Sequence, residues 1–216
     1  MQTTDSTPLL DMAALAAAPL QEAPYRHLMV PHFLPEAALA RVYADLPKLE
    51  RGGSFPPEAL HLGPTARALM AEMQGPAMKR AIGERLGLAL DDAPTMLTMR
   101  VYCRDKDGQI HTDSLAKRVT ILLYLNPDIE AFRQQEGCLR LLHSADDLED
   151  FAVEVPPTNG TLLVFPNGPT TWHGHRAYVG PRFSVQLNYM TNDSKARSEL
   201  RRHKLSAFLK RLTPAA

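Results

Sequence analysis

The chain has 216 residues, enough for one domain with a sizeable hydrophobic core but few for two. Its 24 basic and 24 acidic residues cancel, so the chain as a whole has no electrostatic preference for nucleic acid or an anionic membrane. Its two cysteines, Cys103 and Cys138, have no metal-binding spacing and indicate no disulfide framework. This composition predicts a single domain, residues 1–216, in the cytoplasm, with neither a signal peptide nor a membrane span.

Residues 1–93 are predicted to be mainly helical. Pro35 lies at the start of one amphipathic segment and Pro47 ends it, while the Gly- and Pro-rich stretch 51–57 is typical of a loop. The predicted elements are a helix over 9–18, a strand over 25–33, and helices over 36–46, 65–73 and 76–86. We expect the later helices to cover one face of a β-structured core.

Residues 94–191 are predicted to form that core, because short apolar runs alternate there with turn residues. The predicted strands lie at 94–103, 119–125, 137–142, 160–165, 171–175 and 182–189. A basic amphipathic helix is predicted over 194–212. Such a helix can bind nucleic acid or a ribosome, but we favour a solvated face on a helix docked against the core.

His111 and Asp113 lie two residues apart, between a turn-like segment and a predicted strand. Alternate residues of a strand share a face, so both side chains can reach one metal ion. A third ligand must come from a distant segment, and His173 and His175 would both face the same side of a later strand. Two imidazoles and a carboxylate leave open metal positions, as in non-haem Fe(II) oxygenases.

Arg182 follows His173 by nine residues. On an adjacent strand running back, its guanidinium can bind the distal carboxylate of a chelating 2-oxo acid through two hydrogen bonds. The alternative is a structural salt bridge.

With these residues, the segment 94–191 resembles the Fe(II)/2-oxoglutarate dioxygenases of the prolyl 4-hydroxylase type, and the outer regions resemble a bacterial branch of unassigned substrate. The resemblance implies an α+β fold with a double-stranded β-helix core, also called a jelly roll and cupin-like. N-terminal helices would pack on one face of this core, and the basic helix would follow it. Fe(II), 2-oxoglutarate and O2 are the implied cofactor and co-substrates.

The resemblance also implies roles for individual residues. The implied iron ligands are His111, Asp113 and His173, the last because it follows an aromatic residue and has the family's offset to Arg182. The residues implied to bind 2-oxoglutarate are Arg182, Ser184, Tyr124 and, by a looser match, Tyr102. The pair Gly137-Cys138 departs from the family's usual Gly-Gly and is expected to narrow the pocket beside its strand.

Three further residues are candidates for contacts with substrate or with the metal ligands. Arg140, between two leucines of a predicted strand, is either a contact to substrate or co-substrate inside the barrel or half of an ion pair with a neighbouring strand. Asn188 shares the strand face of Arg182 and either binds substrate or is a satisfied core amide. His175 is expected to line the pocket beside the ligands.

The predicted activity is hydroxylation of a C–H bond in an unidentified small molecule, peptide or protein side chain, with release of succinate and CO2. One alternative is a metal-binding cupin-type isomerase or hydrolase that does not use 2-oxoglutarate, against which Arg182 and Tyr124 argue. Another is a non-catalytic interaction domain that acts through its basic helix, against which the intact ligand set argues. No membrane partner is expected.

Overall fold

The structure, a computed structural model, describes residues 8–202. The helices are α1 (Met12–Ala17), α2 (Glu36–Ala44), α3 (Pro64–Met73), α4 (Pro76–Leu86) and α5 (Glu130–Arg133), with a 3-10 turn at Pro57–Ala59. The strands are β1 (Leu28–Val30), β2 (Ser54–Phe55), β3 (Thr95–Cys103), β4 (Lys117–Tyr124), β5 (Leu139–Leu142), β6 (Phe151–Val155), β7 (Leu162–Pro166), β8 (His173–His175) and β9 (Gly180–Met190). The predicted C-terminal helix is present over 194–202, and its predicted continuation to 212 lies outside the described residues.

Two antiparallel sheets face each other. The larger sheet has the strand order β1-β7-β4-β9-β3-β2, and the smaller has the order β6-β5-β8. Along the chain the strands alternate between the sheets, since β4 and β7 belong to the larger one and the intervening β5 and β6 to the smaller. This is the predicted double-stranded β-helix.

The helices cover the outer face of the larger sheet. Leu69 and Met73 of α3 and Ile82 of α4 are fully or almost fully buried in one cluster with Met99 of β3 and Ile121 of β4. Burying these side chains is the main stabilising contribution at this layer, at about 1.5–3 kcal/mol for each fully buried one. Successive strand residues point to opposite faces, so the other face of the sheet is left to form a pocket with the smaller sheet.

A tight turn at Asn159 and Gly160 takes the chain from β6 in the smaller sheet to β7 in the larger. Both residues have left-handed backbones, with φ of 56° and 65°, and the Thr161 N–H donates to the Thr158 carbonyl at 3.1 Å. Positive φ at both central residues is the pattern of a type I′ turn, which favours Asn-Gly. The Gly160 carbonyl also accepts from the Leu34 N–H at 3.1 Å, which joins the N-terminal part to the β core.

Within residues 8–202, no helix combines the length and the apolar character that crossing a membrane requires.

Candidate active site

His111, Asp113 and His173 converge in the pocket between the sheets. One potential ligand atom from each lies within 4.8 Å of the others, and the two imidazole centroids are 4.4 Å apart. Backbone hydrogen bonds hold the two histidine segments together, because each histidine N–H donates to the other's carbonyl at 3.0 Å. The protein backbone therefore brings these distant segments into register.

Both imidazoles are oriented by hydrogen bonds. His111 Nδ1 lies 2.8 Å from the Gln109 carbonyl, and His173 Nδ1 lies 2.9 Å from the Thr171 carbonyl. A carbonyl partner requires a proton on Nδ1, which leaves the Nε2 lone pair free for a metal. Burial, and then the nearby His111, lower the pKa of His173 to about 4, so it is neutral at pH 7.

Asp113 is held in its ionised form. Lys117 Nζ lies 2.5 Å from its Oδ1, and the Thr120 hydroxyl donates to Oδ2 at 2.6 Å. Burial alone would raise the pKa of this carboxyl, but the Lys117 charge and the two hydrogen bonds outweigh it and leave the pKa below its ordinary value. Two imidazoles oriented through Nδ1, together with one carboxylate, fit a ferrous ion with open coordination positions.

Arg182, Tyr124 and Ser184 line the same pocket. Tyr124 and Ser184 are register partners across β4 and β9, and Arg182 precedes Ser184 by two residues on the same face. The Arg182 Nε donates to the Gly137 carbonyl at 2.9 Å, and its Cζ lies 5.5 Å from the Tyr124 ring centroid.

Arg182 is 6% exposed, and no carboxylate of residues 8–202 lies within 4.0 Å of its guanidinium. The salt-bridge alternative is therefore wrong within that range, and a buried cation of this kind needs an anion. The buried Tyr124 hydroxyl also has no hydrogen-bond partner among the described residues. Burial raises the pKa of Tyr124 to about 12, although the Arg182 charge opposes this, so the phenol stays a donor. The two side chains fit a carboxylate.

His175 also lines the pocket but lies outside the metal cluster. Its Nδ1 lies 2.8 Å from the Arg176 carbonyl, and its Nε2 lies 3.9 Å from Cys103 Sγ. Of the two histidines that the strand pattern left open, the structure places His173 with His111 and Asp113.

Tyr102 lies away from the pocket wall. The pairing of β3 with β9 shifts register between Arg100 and Tyr102, which reverses the alternation of faces. Tyr102 packs against the larger core cluster, whereas Cys103 comes beside His175. The implied contact of Tyr102 with 2-oxoglutarate is not supported by this placement. Cys138 is likewise buried with Phe132 outside the pocket lining, so the expected narrowing there is wrong.

Arg140 is fully buried on the face of β5 that points away from the pocket. Its Nε lies 2.7 Å from Glu154, its register partner on β6, and its Nη1 lies 2.7 Å from Glu149. The guanidinium carbon also lies 4.3 Å from the Phe151 ring centroid. These partners satisfy the charge, so the ion-pair alternative is confirmed, and Arg140 is not among the residues that line the pocket. The neighbouring Leu139 takes the pocket-facing position.

Asn188 lines the pocket and is 1% exposed. Its Oδ1 lies 3.1 Å from the Thr120 hydroxyl, which also contacts Asp113. Its Nδ2 is buried without a hydrogen-bond partner among the described residues, so the amide is only half satisfied. A donor left in this state is available to a ligand.

Sequence reasoning missed several residues of the pocket wall. A period-two pattern along β3, β4 and β9 was the signal that could have found them, since the predicted site residues indicate which face of each strand points inward. They are Met96, Thr98, Arg100, Thr120, Leu122 and Gln186. Lys117 also lines the pocket, but that period does not reach it, because the pairing of β4 with β9 shifts register between Lys117 and Val119. The cavity has a volume of about 270 Å³.

Comparisons with known proteins show a matching family model and solved structures of similar fold. Residues 97–190 match the family model of the 2OG-Fe(II) oxygenase superfamily. A Pseudomonas putida prolyl-4-hydroxylase structure is similar with a TM-score of 0.58 and 22% identity, over 82% of this chain and 99% of that one. The sequence has no significant match among curated proteins.

Two further solved structures share the fold. A Burkholderia pseudomallei oxidoreductase of the 2OG-Fe(II) oxygenase family has a TM-score of 0.55 and 15% identity, over 91% of this chain and 96% of that one. A Trichoplax adhaerens prolyl hydroxylase, in complex with a hypoxia inducible factor peptide fragment, has a TM-score of 0.53 and 16% identity, over 87% and 91%. At these identities the likeness concerns the fold.

Proposed function

We propose that the chain is a member of the 2OG-Fe(II) oxygenase superfamily, whose family model matches residues 97–190. In this proposal His111, Asp113 and His173 bind the iron, and Arg182, Tyr124 and Ser184 bind 2-oxoglutarate. One observation carries this proposal: the metal-binding cluster and a buried arginine without a carboxylate partner among residues 8–202 line the same pocket. A cupin-type enzyme that does not use 2-oxoglutarate would have no need of that free guanidinium.

When bound, ferrous iron and 2-oxoglutarate supply the oxidation, in which one atom of O2 enters a substrate C–H bond, the other enters succinate, and CO2 leaves. The residues of the protein hold these groups and orient them. The Gln109 and Thr171 carbonyls fix the two imidazoles, and Lys117 and Thr120 fix the carboxylate of Asp113. Arg182 presents its planar donor fork to the distal carboxylate, and the apolar wall residues Leu122 and Leu139 help to exclude water.

The substrate stays open between a small molecule and a side chain of a peptide or protein. The Trichoplax adhaerens structure holds a peptide fragment, which is a reason to include peptides in a first panel. We keep a cytoplasmic location as a prediction, which the two buried free cysteines support.

The test compares His173→Ala with His175→Ala, a matched control because both histidines are buried in β8 and line the pocket. We expect the wild type to bind Fe(II) and to convert 2-oxoglutarate into succinate. His173→Ala should lose Fe(II) affinity by more than about 100-fold and lose turnover, whereas His175→Ala should lose less than about tenfold in affinity. Asp113→Ala should behave like His173→Ala, with the fold of each variant checked by circular dichroism.

Two results would contradict the proposal. Iron binding without any binding or turnover of 2-oxoglutarate would favour the metal-only cupin alternative. A larger loss of iron affinity in His175→Ala than in His173→Ala would show that the ligand set is wrong.

A further inference from the structure

Arg100 is a second cation of the pocket that the proposed mechanism does not use. It lies on β3 as the register partner of Ser184, it is half-buried, and it lines the pocket on the same face as Thr98. No carboxylate of residues 8–202 lies within 4.0 Å of it. The carboxylate of Asp107 is near enough for the Arg100 charge to contribute, after Arg104, to lowering its pKa. However, Asp107 already accepts three hydrogen bonds from Arg104, at 2.9 to 3.2 Å. The Arg100 guanidinium is therefore available to a ligand.

The charges of the pocket do not balance. Its lining includes the cations Arg100, Lys117 and Arg182 but a single carboxylate, Asp113, which Lys117 already pairs. Ferrous iron and 2-oxoglutarate carry equal and opposite charges, so binding both would leave two guanidinium charges in excess. Arg182 is the proposed partner of the distal carboxylate. The charge of Arg100 then remains for another anion, since a partly desolvated cation is stabilised by one.

A second donor lies on the same wall. The buried Nδ2 of Asn188 has no partner among the described residues, and Asn188 shares the face of β9 with Ser184 and Gln186. Gln186 is the register partner of Thr98, so it lies between Arg100 and Asn188 along the wall. The wall formed by β3 and β9 therefore offers hydrogen-bond donors at two separate points, one of them charged. This is complementary to a small polar molecule with an anionic end.

We propose that the substrate carries a carboxylate, which Arg100 binds, and a second hydrogen-bond acceptor that faces Asn188. The planar fork of arginine matches both oxygens of a carboxylate. This inference rests on the proposed 2-oxoglutarate-dependent function and names its substrate class. The carboxylate can belong to a free amino or organic acid or to an acidic side chain of a peptide.

The first experiment measures binding without turnover. The protein is loaded with Mn(II) and saturating 2-oxoglutarate and is titrated with acetate and with the neutral acetamide, followed by NMR. We expect saturable binding of acetate alone. Arg100→Gln should weaken acetate binding by about 10- to 100-fold, and Arg100→Lys should retain part of it. Arg80→Gln, which removes an equal charge from the exposed surface of α4, should change nothing.

In the same titrations, Arg100→Gln should lose less affinity for 2-oxoglutarate than for acetate, because Arg182 is the proposed partner of the distal carboxylate of 2-oxoglutarate. Acetate binding that is equal in the wild type and Arg100→Gln, or equal binding of acetate and acetamide, would overturn the proposal. A large loss of 2-oxoglutarate affinity in Arg100→Gln with acetate binding intact would also overturn it, because Arg100 would then serve the co-substrate.

The second experiment measures succinate release with a panel of amino acids and organic acids, each paired with its amide, and of acidic peptides paired with neutral ones. We expect acids to stimulate turnover with a kcat/KM about tenfold or more above that of their neutral partners, and Arg100→Gln to abolish this preference. If the free acids stimulate turnover, the substrate is a free amino or organic acid; if the acidic peptides do, it is a peptide. A preference for neutral compounds would overturn the carboxylate inference alone. Failure of the wild type to bind 2-oxoglutarate would overturn the proposed function.

Discussion

Arg182 is the residue whose substitution separates co-substrate binding from metal binding. Its guanidinium contacts Gly137 and Tyr124 but none of the three metal-cluster residues. A buried charge that loses its partner typically costs about 3–5 kcal/mol, so Arg182→Ala should raise the Kd of 2-oxoglutarate by roughly two or more orders of magnitude. Arg182→Lys should recover part of this loss, because lysine keeps the charge but lacks the planar fork.

The measurement is calorimetric titration of 2-oxoglutarate into Mn(II)-loaded protein, with metal affinity determined separately. Metal affinity should stay at the wild-type value in both Arg182 variants. Unchanged 2-oxoglutarate affinity in Arg182→Ala would remove the main support for co-substrate binding in this pocket.

The position of a single residue could be predicted from the sequence only where it is determined by neighbouring residues in the chain. His111 and Asp113 could be paired from their spacing alone, because the alternation of a strand is a local property. Tyr102 could not be placed, because a register shift after Arg100 turns it to the other face, and nothing in the sequence marks that shift. The orientation of Arg140 could not be predicted either, because it depends on which face of β5 lies against Glu154 of β6 and Glu149 of the loop before β6.

At the scale of elements, the longer helices were predicted more accurately than the shortest strands, and the four-residue helix α5 was missed. The helices α3 and α4 begin at Pro64 and Pro76, and α4 ends at Gly87, so proline and glycine mark their boundaries in the sequence. The strand β2 has only two residues, inside a segment predicted to be a loop, and is stabilised by pairing with β3. The strand β6 was missed because it follows an acidic stretch and contains Glu154. Its pairing with β5, where Glu154 lies opposite Arg140, is a tertiary feature.

The acidic stretch before β6 predicts an acid-sensitive contact. Hydrogen bonds from Arg176 and then Arg140 lower the pKa of Glu149 from its ordinary value of 4.5 to about 2. A carboxylate whose pKa is depressed on folding stabilises the protein above its unfolded pKa, and this contribution is lost as the pH falls towards the folded value. We therefore expect the stability difference between wild type and Glu149→Gln to be present at pH 7 and to shrink between about pH 4.5 and pH 2.

Urea unfolding of both proteins across this pH range checks the prediction. Glu130→Gln is a suitable control, because Glu130 is exposed on α5, lies 3.9 Å from Arg133 and accepts one exposed hydrogen bond, from Gln134 at 3.2 Å. A stability difference between wild type and Glu149→Gln that stays constant down to pH 2.5 would show that Arg140 and Arg176 do not depend on the charge of Glu149.

At the scale of the whole molecule, the site lies where the two sheets face each other, and the covering helices leave that face open. Apolar runs with turn residues between them predicted the strand-rich half, and the resemblance supplied its two-sheet arrangement. The register could not be predicted, since the bridge between His111 and His173 joins segments that are far apart in sequence. Such pairings are selected by packing of the complete core rather than by local preference.

The junction between the N-terminal part and the β core gives a test of that packing. Gly160 and Gly87 have the same backbone φ of 65°, but a Cβ at Gly87 would meet nothing within 4 Å, whereas one at Gly160 would overlap the Leu34 carbonyl oxygen. A left-handed alanine costs about 1–2 kcal/mol by itself. Gly87→Ala should therefore lower the free energy of unfolding by about that amount, and Gly160→Ala by about 3 kcal/mol or more, because Leu34 must also move. Equal losses in urea unfolding would mean that Leu34 and Gly160 are not in close contact in solution.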